Sequence, residues 1–145
     1  MYKTILVGTD GSDRATAAVE HAIALAKITG ATLHIAYVSR PVTVTGVSAP
    51  DAVAVARTRM REDGEQILDR AVADVQGKAV SAEAHNVEGD PADALIKVAQ
   101  AVDADLVVVG NKGMSGVKRL VLGSVPNKVS HHCPCSLLIV DTDRA

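Results

Sequence analysis

Between Gly110 and Ser124 the chain spaces its glycines as Gly110-x2-Gly113-x9-Gly123-Ser124 and supplies three cations, Lys112, Lys118 and Arg119, without one acidic residue. Glycine has no Cβ, so such a loop can take positive φ and bring its N–H groups close to a ligand. Ser124 suits the N-cap of the helix expected after it, and the unpaired N–H groups and dipole of a helix start attract anions. These residues can bind phosphate through backbone and charge. A loop that serves only the architecture is the alternative for the same spacing.

Other chemistries find less support. Asp10, in the turn GTDGSD, is a candidate ligand contact, accepting from a donor group of the ligand or holding Mg²⁺; an Asp in such a turn can equally bond neighbouring backbone N–H groups. The spacing Gly-x4-Gly-Lys-Ser/Thr of P-loop nucleotidases is absent, as is G-x-G-x-x-G after the first strand. Gly8 stands where an aspartate nucleophile at the end of that strand would be expected. His131, His132, Cys133 and Cys135 suggest a metal, but no second Cys/His cluster completes a closed tetrahedral set. They read instead as the end of a basic helix and a Cys-Pro-Cys entry to the last strand. His21, His34 and His85 read as isolated, ordinary helix or strand residues. No nucleophile sits in a readable triad and no carboxylate pair is placed for acid–base work, so no catalytic residues are assigned and robust catalysis is not expected.

The elements that must position the loop are legible. ILVG in Tyr2–Gly8 is an apolar strand; Ala15, Val19, Ala22, Ile23 and Ala26 fall at helical spacing behind Ser12 as N-cap, with Gly30 as stop. Ala31–Val38 is a second strand. Ser39–Pro50 reads as a long loop, and Asp51 as the cap of a helix to about Gln76, weakened locally by Gly64 at a cost of about 1 kcal/mol. Ala79–Val87 alternates like a half-exposed strand. Asp90 caps the next helix with Pro91 at its first position and Asp93 in its first turn. DLVVVG is a strand of the kind buried on both faces, SVPNKVSHH a short helix, and CSLLIVD a last strand. Strands separated by helices predict an α/β fold, an open parallel sheet of five strands with helices on both faces. Ligands of such sheets bind beyond the carboxyl ends of the strands, which puts the loops after Val7, Val38 and Val109 at one rim.

Composition narrows the partners. The 145 residues suit one domain, 1–145, able to bury roughly 70% of its unfolded surface. There is no Phe or Trp, and Tyr occurs only as Tyr2 and Tyr37, so base stacking on aromatic platforms is nearly excluded and no nucleic-acid partner is expected. From Leu106 to Val140 the chain has four basic residues (Lys112, Lys118, Arg119, Lys128) and no acid, while the remainder carries a net charge of −6. Positive charge is therefore expected to collect around the glycine loop. With no long apolar span, a membrane is not expected, and two closely spaced cysteines fit a reducing, cytoplasmic setting.

The glycine motif, the opening ILVGTDGS and the closing CPCSLLIVD together resemble the universal stress protein family over Tyr2–Val140. The resemblance implies a Rossmann-like sheet, akin to the adenine nucleotide alpha hydrolases, of strand order 3-2-1-4-5. It also implies binding of ATP or another adenine nucleotide, with Mg²⁺ as a possible companion. By that resemblance Thr9 and Asp10 meet the nucleoside, and the backbone of Val38 reads the adenine edge. Gly110 and Gly113 lie against ribose and phosphate, while Gly123, Ser124 and Val125 bind the phosphates. Pro126 departs from members with a hydroxyl residue there; lacking N–H and hydroxyl, it removes one donor, so AMP, ADP or a cyclic nucleotide competes with ATP. The role implied is a stress-response sensor or regulatory module. A weak ATPase, a cyclic-nucleotide receptor and a nucleotide-free dimeric interaction module are the alternatives. The last strand, SLLIV, is expected at an apolar sheet edge, and the resemblance implies a homodimer through it.

Overall fold

The computed structural model describes residues 1–41, 50–112 and 122–143; the Ser39–Pro50 loop reading, Gly113, Lys118 and Arg119 thus fall wholly or mostly outside the described residues. The elements follow in the order β1 (Thr4–Thr9), α1 (Asp13–Thr29), β2 (Thr32–Ser39), α2 (Pro50–Gly77), β3 (Ala82–Glu88), α3 (Pro91–Ala101), β4 (Leu106–Gly110), α4 (Ser124–His132) and β5 (Ser136–Val140). All strand pairs are parallel and the sheet order is β3-β2-β1-β4-β5, the doubly wound arrangement expected.

The continuous apolar runs of β1, β2 and β4 are explained by cover on both faces. Ile5, Val7, Leu33, Ile35 and Val108 pack with buried residues of α1 and α2, including Ala22, Ile23, Leu68 and Val75. The alternate residues Leu6, Ala36, Val38, Val107 and Val109 pack with α3 and α4 through Leu95, Val98, Val125 and Val129. The period of two along each strand thus divides one apolar run between two cores.

Local signals act as written for α1 and α3. Ser12 Oγ accepts from the Ala15 N–H at 3.2 Å, and Gly30 closes α1 in the left-handed region at φ 74°, its N–H donating to the Ala26 carbonyl at 2.8 Å. Asp90 accepts from the Asp93 N–H at 3.1 Å, and that bond, with smaller help from Lys128, holds its carboxyl below the ordinary carboxylate value. Two caps differ from expectation. Asp51 lies inside the first turn of α2, because Pro50 already opens the helix with a pre-set φ and no N–H to satisfy. Ser124 is the first helical residue and not the cap: extended Gly123 precedes it, accepts the first helical bond from the Asn127 N–H at 3.0 Å, and carries no side chain to bond.

Gly64 has a positive use that helix propensity hides. It is buried in the middle of α2, and a Cβ there would stand 2.6 Å from Tyr37 Cδ1 and 2.8 Å from Asn86 Oδ1. Asn86 in turn donates from Nδ2 to the Arg61 carbonyl at 2.9 Å. The missing side chain lets α2 lie close against β2 and β3.

The chain returns across β1 between β3 and β4, so the order reverses between β1 and β4. Their carboxyl ends form the crevice where ligands of such sheets bind.

Candidate nucleotide site

A cleft partly open to solvent lies at that crevice. Its floor and walls come from Gly8, Thr9 and Asp10 at the end of β1, Arg14, Ala15 and Ala18 of α1, and Leu95 of α3. Val109 and Gly110 of β4, Val125 of α4, and Thr142 complete the lining. Most of this surface is aliphatic, with Asp10 and Arg14 as its charged groups among the described residues. Gly8 permits the approach of α3: a Cβ there would touch both Leu95 methyls at 3.2 Å.

The turn after β1 is built by its own side chains. Thr9, 4% exposed, accepts at Oγ1 from the Gly11 N–H at 3.1 Å, and Asp10 Oδ1 accepts from the Ser12 N–H at 2.9 Å. The backbone-bonding role weighed for Asp10 is thus present, alongside its place on the cleft wall. Gly11 takes φ +81°, where a Cβ would also come within 2.9 Å of Ile67 Cδ1.

The ends of the glycine stretch are brought together. The Gly123 N–H donates to the Asn111 carbonyl at 2.9 Å, while the Asn111 N–H donates to the Val140 carbonyl at 2.8 Å. Asn111 Oδ1 accepts from both the backbone N–H and the hydroxyl of Thr142, at 3.2 and 3.0 Å. One asparagine therefore ties β4, the end of β5 and the start of α4 into a single rim, and it puts Thr142 beside Gly110. At the start of α4 the Ser124 and Val125 N–H groups have no intrahelical acceptor four residues back, and Pro126, third in the helix and fully buried, has no N–H at all.

The sequence-derived site residues thus separate into groups. Thr9, Asp10, Gly110 and Val125 line one cleft. Gly123 and Ser124 stand at its rim through the Asn111 bond without lining it; Gly123 is buried and Ser124 exposed. Val38 is 4% exposed, packed in the core on the α3 side, and outside the cleft lining. Gly113 lies outside the described residues.

Of the four cations expected to gather positive charge around the loop, Lys112 and Lys128 are described, and both are paired with acids, while Lys118 and Arg119 lie outside the described residues. Lys112 is 7% exposed and pairs with Asp143, and Lys128 bridges Asp90 and Asp93 at 3.2 and 3.0 Å. Acids from the tail and from α3 fold back onto cations whose own segment contains none. Among the described residues, the cation that lines the cleft is Arg14, which the sequence analysis does not single out. Its one available signal was position: a positive charge in a first turn opposes the helix dipole. Leu95 and Thr142 carried no such mark.

One further reading changes. His34 and His85 are not isolated: adjacent strands bring His34 Nδ1 to 2.8 Å from His85 Nε2 with the rings stacked, and Glu83 Oε2 lies 3.6 Å from His34 Nδ1. Cys133 and Cys135 do approach, Sγ to Sγ 3.9 Å, but burial and then the neighbouring Cys133 push the Cys135 thiol up to about 12, so it stays protonated and a poor nucleophile or ligand. Among the described residues, no helix is long and apolar enough to cross a membrane.

Comparison with known proteins gives one consistent result. The model of the universal stress protein family matches residues 1–141. Universal stress protein YxiE of Bacillus subtilis is 37% identical, over 97% of this chain and 99% of that relative. A crystal structure of a universal stress protein in complex with cAMP is 36% identical, covering 97% of this chain and 98% of the other, with a TM-score of 0.70. UspA from Lactobacillus plantarum shares the fold at a TM-score of 0.86 and 24% identity, over 96% and 97% of the two chains.

Proposed function

We propose, from the premise that this chain belongs to the universal stress protein family, that it is a regulatory module holding an adenine nucleotide, ATP first, in the cleft between β1 and β4. The observation that carries this reading is the closed rim, where the Gly123 N–H on the Asn111 carbonyl brings a glycine loop and a helix start to the cleft that Arg14 lines. In this reading Thr9 and Asp10 contact the nucleoside and the Val38 backbone the adenine. Gly110 and Gly113 lie along ribose and phosphate, and Gly123, Ser124 and Val125 receive the phosphates. Asp10 is the carboxylate on the cleft wall, so a Mg²⁺ carried in with the phosphates would be held there. No described group is placed as a general base or nucleophile, so the nucleotide acts as a signal and any hydrolysis is slow. A cytoplasmic setting belongs to the same reading, in keeping with the free thiols of Cys133 and Cys135.

The test is to denature the purified protein, chromatograph any small molecule released, and titrate the emptied protein with ATP, ADP, AMP and cAMP. ATP near one per chain, and an affinity loss of about tenfold or more in Gly123→Val, are expected, because a β-branched side chain at the buried cap displaces the helix start that receives phosphate. Flat titrations, or undiminished binding in Gly123→Val, would overturn the cradle. A second reading has its own support: Pro126 leaves the helix start one donor short, and the relative solved with cAMP is 36% identical. On that reading cAMP or AMP outcompetes ATP in the same titration.

The module is also proposed to be a homodimer. β5 is an edge strand whose Leu137, Leu138 and Ile139 remain partly exposed, and an unpaired apolar edge recruits another. Leu138→Lys is expected to shift the sedimentation profile to monomer, with the melting curve followed in parallel because Leu138 also packs on the core. An unchanged profile would remove β5 from the interface.

A further inference from the structure

The His34, Glu83 and His85 constellation lies apart from the nucleotide cleft. In the parallel register His34 of β2 pairs with Glu83 of β3, and His85 follows two residues on, so all three project from one face of the sheet. That is the face covered by α3, and it lies toward the amino end of β2, away from the rim where β1 and β4 close the nucleotide cleft. His34 is 7% exposed, whereas His85 also lines an open groove between β3 and α3 beside Gly89, Ala94 and Val98. The Glu83 side chain is 64% exposed and can swing.

We propose that these three side chains form a binding site for a divalent transition-metal ion of the zinc class, with the groove supplying a water as fourth ligand. Three donor atoms, His34 Nδ1, His85 Nε2 and a Glu83 oxygen, lie within 4.8 Å of one another. Ligands at Zn–N and Zn–O distances of about 2.1 Å stand about 3.4 Å apart around a tetrahedral ion. The His34–Glu83 separation of 3.6 Å already has that value, and the two imidazoles, at 2.8 Å, must open by a fraction of an ångström. Without metal, one ring donates its N–H to the other across this gap. With metal, the donor ring carries that proton on its opposite nitrogen, both lone pairs face the ion, and no net proton is lost. Two imidazoles and one carboxylate suit zinc, nickel or copper and not magnesium or calcium, which take oxygen ligands. The ion would pin the edge strand β3 to β2.

Metal-stripped full-length protein is titrated with Co²⁺ and then challenged with Zn²⁺. One saturable equivalent per chain is expected, with the visible bands of four-coordinate Co²⁺, no thiolate-to-cobalt charge-transfer band, and displacement by Zn²⁺. Removing a metal ligand should cost at least what outer-shell changes cost, so His85→Gln is expected to weaken binding about 100-fold and Glu83→Gln about tenfold. Cys133→Ser/Cys135→Ser and His131→Gln/His132→Gln should bind as the parent does. The proposal is overturned by the absence of saturable binding, by a thiolate band, or by loss of binding in either of those double variants. Unchanged affinity in His85→Gln overturns it as well. Should His85→Gln not fold, the exposed Glu83→Gln decides, and unchanged affinity there removes the three-ligand site.

Discussion

Gly64→Val is expected to lower the unfolding free energy by about 3 kcal/mol, the upper range for forcing bulk into a packed site. The Cβ alone would overlap the Tyr37 ring at 2.6 Å and the Asn86 amide at 2.8 Å, and valine adds two methyl groups beyond it. Tyr37 packs against the buried core and Asn86 is tethered to the Arg61 carbonyl, so neither yields without disturbing a second contact. Gly64→Ala makes the sign diagnostic. Helix propensity by itself raises stability by about 1 kcal/mol for this change, whereas the contact at 2.6 Å lowers it by about 1–3 kcal/mol. A net loss, read from urea denaturation of both variants, is the expected result. A stabilised alanine variant would mean that α2 can lift from β2 and β3 at little cost, and that Gly64 has no packing role.

Arg14→Glu is expected to reduce nucleotide affinity about 30-fold with little change in the melting temperature. A charge-assisted hydrogen bond to phosphate contributes about 2 kcal/mol, which converts to that factor. Lys112 and Lys128 cannot substitute without breaking their pairs with Asp143 and with Asp90 and Asp93. The fold should not suffer, because an acid in the first turn of α1 suits the helix dipole better than the arginine does. Calorimetric titration with ATP at two salt concentrations separates the causes: the parent should weaken as salt rises and the variant should respond much less. Equal affinity in parent and variant would place the phosphates beyond the reach of α1.

The order of elements, the parallel sheet and the rim that holds the crevice were legible in the chain because they rest on local chemistry. Apolar runs of strand length, Ser12 and Asp90 as caps, Gly30 as a left-handed stop and Pro91 in a first turn each act within a few residues of where they are written. Asp10 and Gly110, at the ends of strands, could be singled out for the same reason, whereas Thr9 and Val125 were placed with them by the family resemblance; all four line the cleft. Tertiary structure alone decided the rest. The pairing of Lys112 and Lys128 depends on acids distant in sequence, Asp143 for the first and the Asp90–Asp93 pair for the second, which a count of charge along one segment does not include. Gly64 read as a weak point because propensity is local, whereas the space it vacates belongs to Tyr37 and Asn86 on two other strands. The contact of His34 with His85, 51 residues apart, exists only through strand register, which a single chain does not display until its strands have paired.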